Sequence, residues 1–176
     1  MNKLKFLTIM TVLLVLTALV RTEEVIKDVV NTGQTKKISS VDPPSMQLYY
    51  RIEQYADTFS IPKKYAYGIA NAETGYKGPF HFKYNPHQTS SAGAVGPMQV
   101  MPSTARHLNK DQCTVDQLKN DIEYNVYTSM KLLRKLYDKY GDWKTVFGCY
   151  NTGRPCINGY AEKVYSYDFD WKVVKI

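Results

Sequence analysis

The sequence has few of the residues from which metal, nucleotide and nucleophile sites are usually built. Its 176 residues include three cysteines and three histidines, and none shows Cys-x-x-Cys or His-x-x-x-His spacing. Neither Gly-x-x-x-x-Gly-Lys nor Gly-x-Gly-x-x-Gly occurs, which argues against a nucleotide site. No Gly-x-Ser-x-Gly elbow is present, and nothing aligns Ser, His and Asp into a triad. We therefore predict that the protein uses no metal and no cofactor.

The cysteine count and the charge give weaker guidance. An odd number of cysteines allows at most one internal disulfide; Cys149 and Cys156 are the closest pair, but the sequence leaves the pairing of Cys113, Cys149 and Cys156 open. The net charge of +7 favours an anionic partner or surface. Because the basic residues are scattered, we predict no nucleic-acid partner. An anionic cell wall or lipid surface suits the charge equally well.

The first 24 residues differ from the rest of the chain. Lys3 and Lys5 precede a 15-residue apolar run, residues 6–20. A positive start and a run of this length fit a secretory signal peptide in residues 1–24. The run is short for a membrane span and no clear cleavage pattern follows, so an uncleaved signal-anchor stays open. Both interpretations predict export to the periplasm or cell envelope, with the protein secreted or attached to the membrane through residues 6–20.

Residues 25–44 have the polar composition of a tether that ends in a double proline. From there to residue 176 helical periodicity dominates and no long alternating run appears, so residues 45–176 are predicted to form one mainly α domain. We expect Ser45 to cap the first helix and residues 168–176 to form a strand or an extended cover. Further helices are expected around residues 65–74, near Ser103, after Thr114, from Asp121 to Gly141, after Asp142, and from about Gly159 to Tyr167.

The second predicted helix places a carboxyl group on its apolar stripe. Ala66, Ile69 and Ala70 follow helical spacing, Glu73 takes the next position on the stripe, and Gly75 is a stop signal. A carboxyl in an apolar wall holds its proton to higher pH, as a general acid near neutrality requires. For this stretch alone, a surface glutamate at a fraying helix end is the alternative.

Three ordered stretches resemble the motifs of the soluble lytic transglycosylase domain, which usually reads Glu-Ser, Gly-Leu-Met-Gln and Ala-Tyr-Asn. The corresponding stretches here are Glu73-Thr74-Gly75-Tyr76, the segment 91–105 that contains Gly96-Pro97-Met98-Gln99, and Cys149-Tyr150-Asn151. The resemblance covers roughly residues 48–165. It implies a lysozyme-like fold of short to medium helices with a long loop after the catalytic helix.

The resemblance also implies roles for single residues. Glu73 would be the only catalytic acid/base. Substrate contacts would come from Thr74, which replaces the usual serine, from the cleft-lining pair Met98 and Gln99, and from Tyr150 and Asn151, which face the glutamate. Pro97 replaces the family's leucine and Cys149 its alanine. The loop 77–90 is longer than is common in the family, so no substrate contact can be transferred to it.

The implied chemistry is cleavage of peptidoglycan glycan strands. Hydrolytic glycosidases generally use two carboxylates, whereas the motifs here supply one. In this family the glutamate would protonate the oxygen between N-acetylmuramic acid and N-acetylglucosamine. It would then activate the muramoyl 6-hydroxyl, which closes a 1,6-anhydro ring without water.

Two other functions stay open at this point. One is a lysozyme-like hydrolase with a second carboxylate from the long loop or a later helix. The other is a non-catalytic wall-binding component of a secretion, conjugation or phage apparatus. The same kinds of machinery are candidate partners of an active enzyme.

Overall fold

The computed structural model describes residues 41–169, which contain seven α-helices. These are α1 (Pro44–Thr58), α2 (Lys63–Thr74), α3 (Pro102–Asn109), α4 (Val115–Asn120), α5 (Ile122–Tyr140), α6 (Trp143–Thr152) and α7 (Gly159–Tyr165). Within this range the extended backbone amounts to two isolated antiparallel bridges, which join Val95 to Thr89 and to Val100. The prediction of a mainly α domain is confirmed.

Helix ends follow local sequence signals. Thr114, Asp121 and Asp142 cap α4, α5 and α6 by accepting the backbone N–H three residues ahead. Gly75 ends α2 in the left-handed conformation, with a φ of 70°. Asn158 caps α7 in the same way as the other three, a cap that we did not predict.

The prediction that Ser45 caps the first helix is wrong. α1 begins at Pro44, whose fixed φ suits a first helical position, and Pro43 takes the cap position. Ser45 therefore lies inside the first turn, where its hydroxyl donates to the carbonyl of Pro79 at 2.7 Å. The residue joins α1 to the long loop instead of starting the helix.

The core lies between α1, α2, α5 and α6. In α1 the side chains of Leu48, Ile52 and Ala56 are fully buried, and the long helix α5 buries Val126, Met130 and Leu133 against them. Each large apolar side chain buried in this way contributes about 1.5–3 kcal/mol. This core fixes α2, which carries Glu73, and α5, which carries Asn125.

Some predictions fall on residues outside this description. The signal segment 1–24, the tether up to residue 40 and the tail 170–176 all lie outside the described residues. Within 41–169 no helix is long and apolar enough to cross a membrane. The predicted domain boundaries therefore stay predictions.

Candidate active site

Glu73 lies in the last turn of α2, half-buried beside the fully buried side chains of Ile69 and Ala70. Its carboxylate Oε1 accepts a hydrogen bond from the hydroxyl of Tyr160 at 2.5 Å. Burial raises the pKa of Glu73, while the Tyr160 hydrogen bond and the positive charge of Lys163 act to lower it. The net pKa is raised, so the carboxyl holds its proton to higher pH than an exposed glutamate.

Tyr160 reaches Glu73 because α2 and α7 pack unusually close together. A Cβ on Gly68 would lie 3.0 Å from the carbonyl oxygen of Val164, so only glycine allows this approach without a shift. Glu73 follows Gly68 by just over one turn and Tyr160 precedes Val164 by one turn. The helices therefore run antiparallel and bring the two side chains together. Burial also raises the pKa of Tyr160 well above its ordinary value, so its hydroxyl remains a donor.

The Tyr160 contact is the functional feature that sequence reasoning missed. Helical spacing predicts that Tyr160 and Val164 face inward on α7. Nothing near either residue identifies Glu73, 87 positions earlier, as the partner of the hydroxyl.

The loop between Val95 and Val100 forms the other side of the site and is held by Asn125 of α5. The fully buried Asn125 accepts the N–H of Met98 at 3.0 Å and donates to the carbonyls of Val95 and Leu118, both at 2.9 Å. Gly96 has a φ of +79°, and a Cβ there would lie 2.3 Å from the Asn125 side-chain nitrogen. The backbone of the middle motif is therefore shaped by one buried amide side chain.

A hydrogen bond joins Tyr150 of α6 to Met98 of this loop. The Tyr150 hydroxyl donates to the Met98 carbonyl at 2.7 Å and lies 2.9 Å from the Ser129 hydroxyl. Burial, and next the negative charge of Glu73, raise the pKa of Tyr150, whose hydroxyl bonds to Met98 and Ser129 and not to the glutamate. The Met98 side chain is fully buried, and its predicted substrate contact stays a prediction.

Thr74 ties α2 to the same loop, and Gln99 closes the loop on itself. The Thr74 hydroxyl lies 2.9 Å from the Pro97 carbonyl and 2.7 Å from the Tyr84 hydroxyl. Gln99 has a φ of +49°, and its side-chain nitrogen donates to the Gly96 carbonyl at 2.9 Å. These bonds give both side chains a structural role, and their predicted substrate contacts stay predictions.

Asn151 lies exposed at the end of α6. Its side-chain oxygen accepts a bond of 3.2 Å from Asn158, the cap of α7. The structure therefore connects Asn151 to the helix that carries Tyr160, and its substrate contact also stays a prediction. The neighbouring Cys149 is buried, and the three cysteines are free thiols.

The arrangement combines one carboxyl group of raised pKa with a donor and a nearby cation. Within residues 41–169, the polar influences on the Glu73 pKa come from Tyr160 and Lys163, and no second carboxylate is among them. A single group that holds a proton and is stabilised after losing it can serve as acid and then as base.

Comparison with known proteins agrees with this geometry. The sequence profile of the Transglycosylase SLT domain matches residues 51–172. The chain belongs to this family. The resemblance noted from the three motifs is thereby confirmed.

Two curated relatives match parts of this SLT domain. The transglycosylase of Enterobacteria phage PRD1 is 37% identical over 83 residues, which cover 47% of this chain and 29% of that protein. Membrane-bound lytic murein transglycosylase D of Escherichia coli K12 is 30% identical over 71 residues, which cover 40% and 16%. The chain thus spans less than a third of the length of either relative.

Solved structures show the same fold. The 70-kDa soluble lytic transglycosylase SLT70 of Escherichia coli superposes with a TM-score of 0.50 and 26% identity, over 65% of this chain and 18% of that protein. A complex of the 70-kDa soluble lytic transglycosylase with bulgecin A gives a TM-score of 0.51 at the same identity and coverage. The predicted lysozyme-like fold is confirmed.

Proposed function

We propose that this SLT-domain protein is a peptidoglycan lytic transglycosylase. It cleaves the β-1,4 bond between N-acetylmuramic acid and N-acetylglucosamine and leaves a 1,6-anhydro end. The observation that carries the proposal is Glu73, a half-buried carboxyl of raised pKa that accepts a hydrogen bond from Tyr160. Membership of the SLT family supplies the substrate class.

In the first step Glu73 acts as an acid. Burial raises the pKa of its carboxyl and so favours the protonated form, and the proton passes to the glycosidic oxygen as the bond from this oxygen to the muramoyl C1 breaks. The N-acetylglucosamine part leaves as an alcohol. The positive charge that develops at C1 is stabilised by the muramoyl N-acetyl group, and Glu73 is left as a carboxylate.

In the second step the same carboxylate acts as a base. The muramoyl 6-hydroxyl attacks C1, and Glu73 takes its proton, so the anhydro ring closes and the acid is regenerated. Tyr160 supports the intermediate stage because its hydroxyl donates to the carboxylate, and charge-assisted bonds of this kind are the stronger ones. Burial favours the protonated form of Glu73, which acts as the acid, and the Tyr160 hydrogen bond favours the carboxylate, which acts as the base. A residue that performs both steps needs both influences.

The substrate is proposed to contact the predicted residues around this centre. The proposed direct contacts are Gln99, Asn151 and Thr74. Met98, whose side chain is fully buried, is proposed to contribute through the shape of the loop. Tyr150 holds the Met98 carbonyl and so keeps the loop in place opposite α7.

The decisive experiment is digestion of purified peptidoglycan by the full chain, with product analysis by mass spectrometry. We expect anhydromuramoyl ends, and a loss of at least about a thousandfold in rate for Glu73→Gln, since the acid and the base are removed together. Glu162→Gln is the matched control, because this exposed α7 carboxylate pairs with Lys144 and should leave the rate unchanged.

Other outcomes would point to the alternative functions. Reducing ends would identify a water-using hydrolase with a second carboxylate. Wall clearing that is the same with Glu73→Gln would identify a non-catalytic wall-binding component.

We infer further that the protein works in the cell envelope, exported by residues 1–24 and, if these are retained, attached to the membrane through residues 6–20. The apolar run after two lysines supports this inference. One relative is named as membrane-bound and another is a phage protein, which favours attachment and a phage partner respectively. Cell fractionation with N-terminal sequencing distinguishes a cleaved signal from an anchor, and recovery in the cytosol would contradict both.

A further inference from the structure

The long loop after α2 holds two phenylalanine rings out into solvent. Phe80 is 49% exposed and Phe82 is 64% exposed, with ring centroids 6.2 Å apart in an edge-to-face arrangement. Exposed lysines, Lys77 and Lys83, lie on either side of the pair in the sequence. We refer to these four residues as the Phe80–Phe82 patch. Contiguous exposed apolar groups with a polar rim are typical of interaction sites.

The backbone beneath the patch is firmly held. The N–H of His81 donates to the Gly78 carbonyl at 3.2 Å, and that of Tyr84 donates to the His81 carbonyl at 2.8 Å. The Pro79 carbonyl accepts the Ser45 hydroxyl of α1. Two large apolar side chains held out from a backbone that is fixed in this way indicate a surface that contacts something apolar.

The position of the patch points to its occupant. Pro79 contacts the first turn of α1, and the described chain begins three residues before that turn, at residue 41. The chain before it contains the apolar run 6–20 and the segment 21–40. The later part of the loop has a different neighbourhood, because Tyr84 and Gln88 bond to Thr74 beside Glu73.

We propose that the Phe80–Phe82 patch contacts the surface of a lipid bilayer that contains anionic lipids. Aromatic rings favour the boundary between headgroups and acyl chains, and flanking lysines favour the headgroup phosphates. The net charge of +7 acts in the same direction. The inference rests on the proposed envelope location and concerns no catalytic residue.

Tethering explains why so small a patch suffices. If residues 6–20 are in the membrane, the segment 21–40 holds the domain within roughly 70 Å of the bilayer even when fully extended. Binding of the patch is then an intramolecular event at high effective concentration. The contact would fix one orientation of the domain relative to the membrane.

The test uses the full chain with Phe82→Trp and vesicles of phosphatidylethanolamine and phosphatidylglycerol brominated near the headgroup end of the acyl chains. We expect a blue shift and quenching of the added emission by about half, as for a ring at the headgroup–acyl boundary. The parent chain gives the background of its own tryptophans. Ile157→Trp, at a site 59% exposed between α6 and α7, is the matched control and should not be quenched.

A charge test sharpens the result. Adding Lys77→Glu and Lys83→Glu to Phe82→Trp should lower quenching on phosphatidylglycerol vesicles and have little effect on phosphatidylcholine vesicles. Glu73→Gln should leave quenching unchanged, so failure of the catalytic proposal and failure of this one are separate observations.

Three outcomes would overturn the proposal. In the first, the chain sediments with vesicles but the emission of Phe82→Trp is not quenched, which means that residues 6–20 alone attach the protein to the membrane. No sedimentation occurs, which also removes the proposed attachment. Peptidoglycan fragments without vesicles shift the Phe82→Trp emission, which assigns the loop to the substrate cleft.

Discussion

The two sides of Glu73 are built in different ways. On the loop side, the buried Asn125 makes three hydrogen bonds to backbone groups, and Tyr150 bonds to Met98 and Ser129. On the α7 side, one hydrogen bond from Tyr160 and the charge of the exposed Lys163 act on the carboxyl. The difference indicates that the loop side maintains the shape of the site, whereas the α7 side adjusts the protonation of Glu73.

This division has a basis in the local structure. The loop side is anchored to α5, a helix of 19 residues that runs through the core. The α7 side depends on a helix of seven residues, too short to be stable alone, which is placed by its packing against Gly68. Changes on the first side should therefore lower stability, and changes on the second should alter the pH dependence of activity.

Among changes on the two sides of Glu73, Asn125→Ala should have the largest effect. This change leaves one backbone donor and two carbonyls without their buried partner, which should cost about 3 kcal/mol and lower the melting temperature by roughly 6–12 °C. Thermal unfolding followed by circular dichroism measures the effect. Asn120→Ala, which removes an exposed bond to Asp116, is the control. Equal melting temperatures for the two variants would show that Asn125 does not stabilise the loop side of the site.

Tyr160→Phe tests the opposite side. Loss of a charge-assisted bond to the Glu73 carboxylate should lower kcat/KM by about 10–100-fold with little change in melting temperature. The bond lowers the Glu73 pKa, so its loss should also move the alkaline limb of the pH profile to higher pH. Tyr165→Phe on the same helix is the control. A large drop in melting temperature without a moved limb would mean that Tyr160 is only structural.

Tyr150→Phe should have an intermediate and mixed effect. Its hydroxyl supports the loop through Met98 and Ser129 and is not bonded to Glu73, so we expect a stability loss of about 1–2 kcal/mol. Activity should fall by less than in Tyr160→Phe, and the pH profile should keep its alkaline limb. If the alkaline limb moves as far as in Tyr160→Phe, both sides of the site affect the protonation of Glu73 and the proposed division of roles is wrong. Denaturant unfolding and initial rates provide the two measurements.

Lys163→Met should have the smallest effect. The lysine charge lowers the pKa of Glu73, so its removal raises that pKa and moves the alkaline limb to higher pH. Salt screens exposed charges, so the difference from the parent chain should shrink as ionic strength rises. Lys139→Met, an exposed change on α5, should leave the profile in place. If the alkaline limb moved to lower pH, the lysine charge would not be lowering the pKa of Glu73.

Much of the fold could be predicted because its signals are local. Thr114, Asp121 and Asp142 each cap a helix by a bond to a residue three positions ahead, so both partners are read together. In α1 and α5 apolar residues at helical spacing are buried, among them Leu48 and Ile52 in α1 and Val126 and Met130 in α5. The cap prediction for Ser45 was wrong because its hydroxyl bonds to Pro79, 34 residues away, instead of to its own helix.

In the site, too, local features could be predicted from the sequence, whereas contacts between distant residues could not. The sequence by itself determined that Glu73 ends an apolar stripe, since this follows from helical spacing. It also determined that three ordered stretches around Glu73 resemble the motifs of the SLT domain, since this follows from residue identity. Only the tertiary structure decided that Met98 is buried, that Asn125 shapes the loop, and that Tyr160 meets the carboxylate. The physical reason is that each of these contacts joins residues far apart in the chain. Their pairing depends on the close packing of whole helices, and no nearby residue encodes it.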